Sequence, residues 1–99
     1  MNVNQLSEAQ IERIAILMEE CSEVIQICGK ILRHGYNSYN PFDENKIINK
    51  SFLEKELGDV LFAIKLLETS NEIDIEVIKK RSIDKIELAK PFLHHQNLS

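Results

Sequence analysis

The sequence predicts an all-α protein built from three main helices. Apolar residues recur at steps of three and four through two long stretches, residues 8–33 and 51–68, and this is the period of an amphipathic helix. A shorter stretch of the same kind covers residues 74–89 and ends before Pro91, a residue that stops or kinks a helix. With 99 residues, the chain is expected to form a single domain around one small core, drawn from residues 7–90.

The first helix is predicted to begin with a capping box. Ser7 stands at the N-cap, and Gln10 follows three residues later. Gly35 is a helix-ending glycine, so the helix is expected to run to about Arg33. The apolar residues of this helix form a main stripe with a second row beside it. The main stripe comprises Ile11, Ile14, Met18, Cys21, Ile25, Cys28 and Leu32, and the second row comprises Ile16, Leu17, Val24, Ile27 and Ile31.

Residues 34–50 predict a loop, because glycine, proline and several asparagines interrupt the helical period there. Loops of this length are often functional. Ser51 and Glu54 form a second capping box and predict the start of the second helix, which ends at residues 69–71. At about 100° per residue, one broad side of this helix is apolar. That surface comprises Phe52, Leu53, Leu57, Val60, Ala63, Ile64 and Leu67, while the polar residues, Lys55 among them, gather on the opposite side.

The third helix is predicted from about Asp74 to Ala89, followed by an irregular tail from Pro91 to Ser99. Its inward-facing residues are expected to be Ile75, Ile78, Ile86 and Ala89.

Composition and charge exclude several classes of protein. A net charge of −4 argues against a nucleic-acid binder, which normally shows a basic surface. The sequence has no run of eighteen apolar residues and no signal-peptide pattern, which predicts a cytoplasmic protein without membrane contact. Cys21 and Cys28 are seven residues apart on one helix, too far to form a disulfide, and are expected to be small core residues.

Two pairs of carboxylates are the strongest functional signal. Glu56 and Asp59 project from the apolar surface of the second helix, and Glu20 and Glu23 lie within or beside the second row of the first. A carboxylate facing a core is unfavourable unless a partner neutralises it. If the two helices pack together, the pairs converge, and their hard oxygen ligands would select Mg²⁺, Mn²⁺ or Ca²⁺. The alternative is that these acids are ordinary helix-surface residues in salt bridges.

Basic and aromatic residues extend this hypothesis towards a nucleotide. Lys30 and Arg33 could reach triphosphate oxygens, although a solvated face or a complement to the helix dipole would explain them equally. Tyr36, Tyr39 and Phe42 in the loop could stack on a nucleobase or pin the loop to the core. A denser basic cluster on the third helix comprises Lys79, Lys80, Arg81 and Lys85.

These motifs together resemble a known family. Residues 19–23 read EExxE, residues 30–33 read Lys-x-x-Arg, and Asn49 precedes an ExGD motif at residues 56–59. In this order, on two helices joined by a loop, they are similar to the MazG-like all-α nucleoside triphosphate pyrophosphohydrolases, over roughly residues 8–90. The resemblance implies cleavage between the α and β phosphates of a nucleoside triphosphate, with Mg²⁺ as cofactor and Mn²⁺ as an alternative ion, to give a monophosphate and pyrophosphate.

The resemblance also implies a role for each motif residue. The Mg²⁺ ligands would be Glu20, Glu23, Glu56 and Asp59. Glu19 would position or deprotonate the attacking water, or contact the metal ligands from outside the coordination sphere. Lys30, Arg33 and Lys85 would contact phosphates, and Asn49 would be a further substrate-binding residue. The family pairs its subunits, so a homodimer or a dimer of dimers that completes a four-helix-type bundle is expected.

Other functions fit the same residues. The substrate could be an NTP or dNTP in general, dUTP or dCTP alone, or phosphoribosyl-ATP, because these enzymes share their motifs. A non-catalytic helical module that binds a nucleotide or a protein is the alternative from another class. A di-iron carboxylate bundle ranks last, because the helices contain no Glu-x-x-His motif.

Overall fold

The computed structural model of the protein describes residues 3–98, and all regular structure within them is helical. Helix α1 spans Glu8–His34, α2 spans Asn49–Thr69 and α3 spans Ile75–Ala89, and a short 3-10 helix follows at Lys90–Phe92. The all-α prediction with three main helices is therefore confirmed for these residues. The chain divides after Leu67 into two compact units, the first with α1 and most of α2, the second with α3.

Both ends of α1 follow the local signals in the sequence. The Ser7 hydroxyl accepts a hydrogen bond from the Gln10 backbone N–H at 3.1 Å, and the Ser7 N–H donates to Gln10 Oε1 at 2.8 Å, so the capping box is present. At the other end, Gly35 has φ +89°, a conformation that side chains with a Cβ rarely adopt, and its N–H donates to the Ile31 carbonyl at 2.7 Å. The helix therefore ends one residue beyond the predicted Arg33.

Helix α2 begins two residues earlier than predicted, at Asn49, and the predicted N-cap Ser51 lies inside the helix. The first N–H groups of a helix need acceptors, and here the loop supplies them. The Asn49 N–H donates to the Ser38 carbonyl and the Lys50 N–H to the Tyr36 carbonyl, both at 2.9 Å. The capping box predicted at Ser51 was wrong because backbone carbonyls brought close by the fold serve as the cap.

The loop between α1 and α2, residues 35–48, is ordered by its own polar side chains. Asp43 accepts hydrogen bonds from the N–H groups of Asn45 and Ile47, at 3.0 and 3.1 Å. The Asn40 side chain accepts from the Phe42 N–H at 2.9 Å. These local bonds replace a helical hydrogen-bond ladder and give the loop a defined path.

Asn49 ties the two helices together. Its side-chain amide donates to the Gly35 carbonyl at 3.0 Å, and the residue is only 8% exposed. The start of α2 thus lies against the end of α1, while Glu56, further along α2, lies beside Glu23, further back on α1. The two helices therefore run antiparallel.

The second row of α1 is the more buried side of that helix, and the main stripe is exposed. The buried apolar residues are Ile27, Ala63 and Leu67. Met18, Ile25 and Leu32 of the main stripe are 69%, 72% and 88% exposed, and Cys21 and Cys28 are exposed free thiols. The prediction that the two cysteines are core residues was wrong for the single chain, because α2 lies along the side of α1 that carries the carboxylates. On α2 the predicted apolar surface is at least partly buried except at Leu57.

Helix α3 has the predicted boundaries, with Asp74 as its N-cap accepting from the Glu76 N–H at 2.9 Å, and the 3-10 helix that follows contains Pro91. Ile75 and Ala89 are partly buried, as expected of inward-facing residues, but Ile78 and Ile86 are exposed. Their predicted inward orientation was wrong, because the unit that contains α3 has too few other residues to cover the middle of its apolar stripe. None of the helices within residues 3–98 is long and apolar enough to span a membrane.

Replacing Asn49 with alanine should lower the free energy of unfolding by about 1–2 kcal/mol, because the hydrogen bond from the buried Asn49 side chain to the Gly35 carbonyl is lost. Urea unfolding followed by circular dichroism measures the change. Asn37→Ala, at an exposed loop asparagine, is the matched control and should leave stability almost unchanged. Equal stability of the two variants would contradict a structural role for the Asn49 amide.

Candidate metal centre

Four carboxylates converge between α1 and α2. Glu20 and Glu23 stand one turn apart on α1, and Glu56 and Asp59 stand one turn apart on α2. Each side chain offers one oxygen, and these four oxygens all lie within 4.8 Å of one another. The spacing in the sequence predicted this convergence, which depends on the antiparallel packing of the two helices.

The negative charges of the four carboxylates repel one another. All four residues are partly buried, and the buried atoms Glu20 Oε2 and Glu56 Oε2 accept no hydrogen bond within the described chain. Burial raises the pKa of Glu20, and the negative charges of Asp59, Glu19 and Glu56 raise it further. A side-chain hydrogen bond with Glu56, followed by burial and the charges of its acidic neighbours, raises the pKa of Glu23 to about 6. A proton is thus held more tightly in the cluster than on a free glutamate.

This arrangement fits a hard divalent cation. Such a cation holds oxygen ligands about 2.0–2.6 Å away, which places the ligands at most about 4–5 Å from one another. The oxygens of the cluster already meet that limit at 4.8 Å. A cation would also satisfy the two buried oxygens of Glu20 and Glu56 that lack a partner. Ordinary surface acids in salt bridges would not leave such atoms buried and unbonded.

Lys55 is the site residue that sequence reasoning missed. It was placed on the solvent side of the second helix, and its side chain is indeed 61% exposed. Its ammonium nevertheless turns back to the cluster, where Nζ lies 3.2 Å from Glu56 Oε1 and 3.4 Å from Asp59 Oδ2. These two hydrogen bonds raise the pKa of Lys55. The available signal was the spacing of Lys55 and Asp59, four residues apart, at which opposite charges on a helix pair.

One cavity lies beside the cluster, and a second cavity shares two lining residues with the first. The nearer one has a volume of about 300 Å³, and its walls include Glu23, Glu56, Lys55 and Lys30. The farther one has a volume of about 340 Å³ and shares Lys30 and Phe52 with the first. The other residues that line the farther cavity are Arg33, His34, Ser38, Tyr39, Asn40, Pro41 and Asn49.

The family model for the MazG nucleotide pyrophosphohydrolase domain matches residues 9–94. The chain belongs to this family. Comparisons with curated proteins and with solved structures gave no match. The family match confirms the resemblance inferred from the motifs and associates this fold with nucleotide pyrophosphohydrolase activity.

The other residues that were predicted to act in the site differ in how near they lie to the carboxylate cluster. Lys30, Arg33 and Asn49, predicted to bind substrate, line the cavities next to the cluster. Glu19 is exposed on α1 beside the cluster, close enough for its charge to raise the pKa of Glu20. Lys85 is exposed on α3, in the other compact unit, and its phosphate contact stays a prediction. All three loop aromatics are exposed, and of them only Tyr39 lines one of the two cavities described above.

The metal-free MazG domain should lose stability as the pH rises from 4.5 through about 6. A carboxyl group whose pKa is raised in the folded state stabilises the fold fully below its unfolded pKa and loses that contribution as it ionises. Melting temperatures measured with a chelator present should therefore fall over this range more steeply for the wild type than for Glu23→Gln, in which the group cannot ionise. Parallel curves for the two proteins would show that Glu23 does not hold the extra proton.

Proposed function

We propose that this protein is a Mg²⁺-dependent nucleoside triphosphate pyrophosphohydrolase, which converts an NTP or dNTP to the monophosphate and pyrophosphate. The observation that carries the proposal is the convergence of four carboxylates beside a cavity that also has two lysines on its walls. The MazG family match supports a reaction of this type.

The carboxylates would hold the metal ion. Glu20 and Glu23 from α1 and Glu56 and Asp59 from α2 supply the hard oxygen ligands that Mg²⁺ prefers, and Mn²⁺ would fit the same ligands. The bound ion would neutralise phosphate charge and lower the pKa of a water molecule. Glu19 is adjacent to Glu20 and is proposed to orient or deprotonate that water, which it can do from the exposed edge of the cluster.

The basic residues would bind the phosphates. Lys30 lies on the wall of both cavities, and Arg33 lines the farther one, so a polyphosphate chain that leaves the metal site would meet both. Their charges would stabilise the negative charge that develops on the leaving pyrophosphate. Lys85 on α3 is proposed as a further phosphate contact on the family resemblance alone.

The farther cavity is the proposed nucleoside site. Its volume of about 340 Å³ is within the range of small-ligand pockets. Tyr39 offers a ring for stacking, and His34, Asn40 and Asn49 offer polar groups along the same wall. One N–H of the Asn49 amide is already engaged with Gly35, which leaves the second N–H and the side-chain oxygen for the substrate.

The direct test is release of pyrophosphate from a panel of NTPs and dNTPs, including dUTP and dCTP, and from phosphoribosyl-ATP, in the presence of Mg²⁺. Turnover of many nucleotides supports the general enzyme, and turnover of one substrate supports a specialised one. A folded protein that hydrolyses none of them would overturn the proposed function and favour a non-catalytic binding module.

Glu56→Gln should reduce turnover at least about 100-fold, because it removes one metal ligand from the centre of the cluster. The metal-free variant should be as stable as the wild type or more so, since one of four repelling charges is gone. Glu54→Gln, an exposed acid on the same helix, is the matched control and should keep full activity. Turnover assays and thermal melts measure both effects. A strongly destabilised Glu56→Gln protein would instead identify Glu56 as a structural partner of Lys55.

We also propose that two copies pair through the main stripe of α1, as a homodimer or as part of a dimer of dimers. The stripe alternates steps of three and four without a break from Ile11 to Leu32, which is the seam of a two-helix coiled coil. Most of it is exposed in the single chain. A seam of this length that faces water is unfavourable, and a second copy offers the complementary surface.

Ile25→Glu should weaken self-association at least about tenfold, because a charge placed in an apolar seam costs more than the 1.4 kcal/mol to which that factor corresponds. Sedimentation velocity across a concentration series measures the shift from dimer to monomer. Glu12→Lys, a charge change at an exposed position of α1 outside the seam and its flanking e and g positions, is the control and should associate like the wild type. Dimers of unchanged affinity in Ile25→Glu would place the interface elsewhere.

A further inference from the structure

The ammonium group of Lys55 occupies a position that a metal ion would contest. Its Nζ donates hydrogen bonds to Glu56 Oε1 and Asp59 Oδ2, at 3.2 and 3.4 Å. Both acceptor side chains belong to the four-carboxylate cluster. In the metal-free protein it therefore neutralises part of the charge contributed by α2.

We propose that Lys55 is an internal counter-ion of the metal centre, which a divalent cation displaces and which then binds the polyphosphate of the substrate. This inference rests on the proposed function, and it assigns to Lys55 a role in coupling the binding of metal and substrate.

The displacement follows from charge. A divalent cation held by Glu56 and Asp59 would stand within a few ångströms of the ammonium, where two positive charges repel strongly in a partly buried site. The ammonium leaves Glu56 Oε2 without a partner, so repulsion between the two cations, and not a shortage of oxygens, would drive the displacement. Glu56 is the more constrained of the two carboxylates, because its side chain is only 13% exposed and its Oε2 is already buried.

The Lys55 side chain is free to move, and the cavity beside the cluster offers a position for its ammonium group. Its side chain is mostly exposed and ends in a flexible four-carbon stem, so its ion pairs cost little to break. The cavity of about 300 Å³ beside the cluster has Lys55 on one wall and Lys30 on another. An ammonium released from the carboxylates thus remains next to the space in which phosphate oxygens bound to the metal would lie.

The exchange makes the two ligands cooperative. A cation that binds alone must break the ion pairs of Lys55 without replacing them. When a polyphosphate is also present, the released ammonium regains a negative partner, so each ligand should strengthen the binding of the other. An exposed ion pair without such a role would have no effect on either affinity.

The first test is calorimetric titration of Mn²⁺ into the nucleotide-free protein. Lys55→Gln should bind Mn²⁺ about three- to tenfold more tightly than the wild type, because the competing charge is gone. Lys50→Gln removes the same charge from an exposed position on the same helix and should match the wild type. Lys55→Arg keeps the charge and should also remain close to the wild type.

The second test uses an α,β-methylene nucleoside triphosphate, which cannot be cleaved, added to the Mn²⁺-loaded proteins. Lys55→Gln should bind it about fivefold or more weakly than the wild type and than Lys50→Gln, since one phosphate contact is lost. In the wild type, the side-chain NMR resonance of the Lys55 ammonium should shift when Mg²⁺ is added and again when the analogue is added. This measurement does not depend on the folding of Lys55→Gln.

The outcomes separate this inference from the proposed function. Equal Mn²⁺ affinity in wild type and a folded Lys55→Gln, or an ammonium resonance that Mg²⁺ leaves in place, overturns the counter-ion role while pyrophosphate release from nucleotides continues. Absence of Mn²⁺ binding in every protein, with no turnover, overturns both.

Discussion

Repulsion among four carboxylates is the constraint on which the rest of this molecule depends. One oxygen from each carboxylate stands within 4.8 Å of the other three, and the cluster also contains two buried oxygens, Glu20 Oε2 and Glu56 Oε2, without a hydrogen bond. The single chain relieves this repulsion in two partial ways, through a proton on Glu23, whose pKa is raised to about 6 and which is therefore protonated only below that pH, and through the ammonium of Lys55. Neither reaches the buried oxygens of both helices at once, which a divalent cation between them would do. The cluster therefore lowers the stability of the metal-free chain. Groups that destabilise a fold in this way are typical of functional sites.

Helix α1 has two apolar sides, of which only one is covered by α2. The uncovered side accounts for the exposure of its apolar residues. Its second row and its carboxylates lie towards α2, while the main stripe lies towards water. Few apolar residues of the described chain are buried, namely Ile27, Ala63 and Leu67. A chain of 99 residues has too little material to cover both surfaces of a helix that is itself 27 residues long. Pairing of two chains would add the missing layer without disturbing the carboxylate cluster.

The features that the sequence predicted correctly depend on short-range chemistry. The capping box of Ser7, the glycine at position 35 and the N-cap at Asp74 each act within a few residues, and the i, i+3 carboxylates share a helical face by geometry alone. The features that it predicted wrongly depend on distant groups. The start of α2 is set by the carbonyls of the loop, and the exposure of Cys21 depends on which side of α1 the other helix covers. The role of Lys55 was not predicted, because helical periodicity indicates only the direction in which the backbone presents a residue. A long side chain can bend from that direction to a neighbouring face of the helix.

The residues of the proposed metal centre and many of those that line the proposed nucleoside site lie on different parts of the chain, the former on helices and the latter on the loop that precedes α2. The carboxylates stand on helices, but four of the nine residues that line the farther cavity belong to the loop, Tyr39 and Asn40 among them. That part of the loop is fixed before any ligand arrives, by the bonds from Asn40 and Asp43 and by the Asn49 amide at its end. A preformed wall loses little conformational entropy when a nucleoside binds, so the shape of the loop can select among bases without weakening the binding. Substitutions in this loop can therefore change the preferred nucleotide while the metal centre, which belongs to the helices, stays the same.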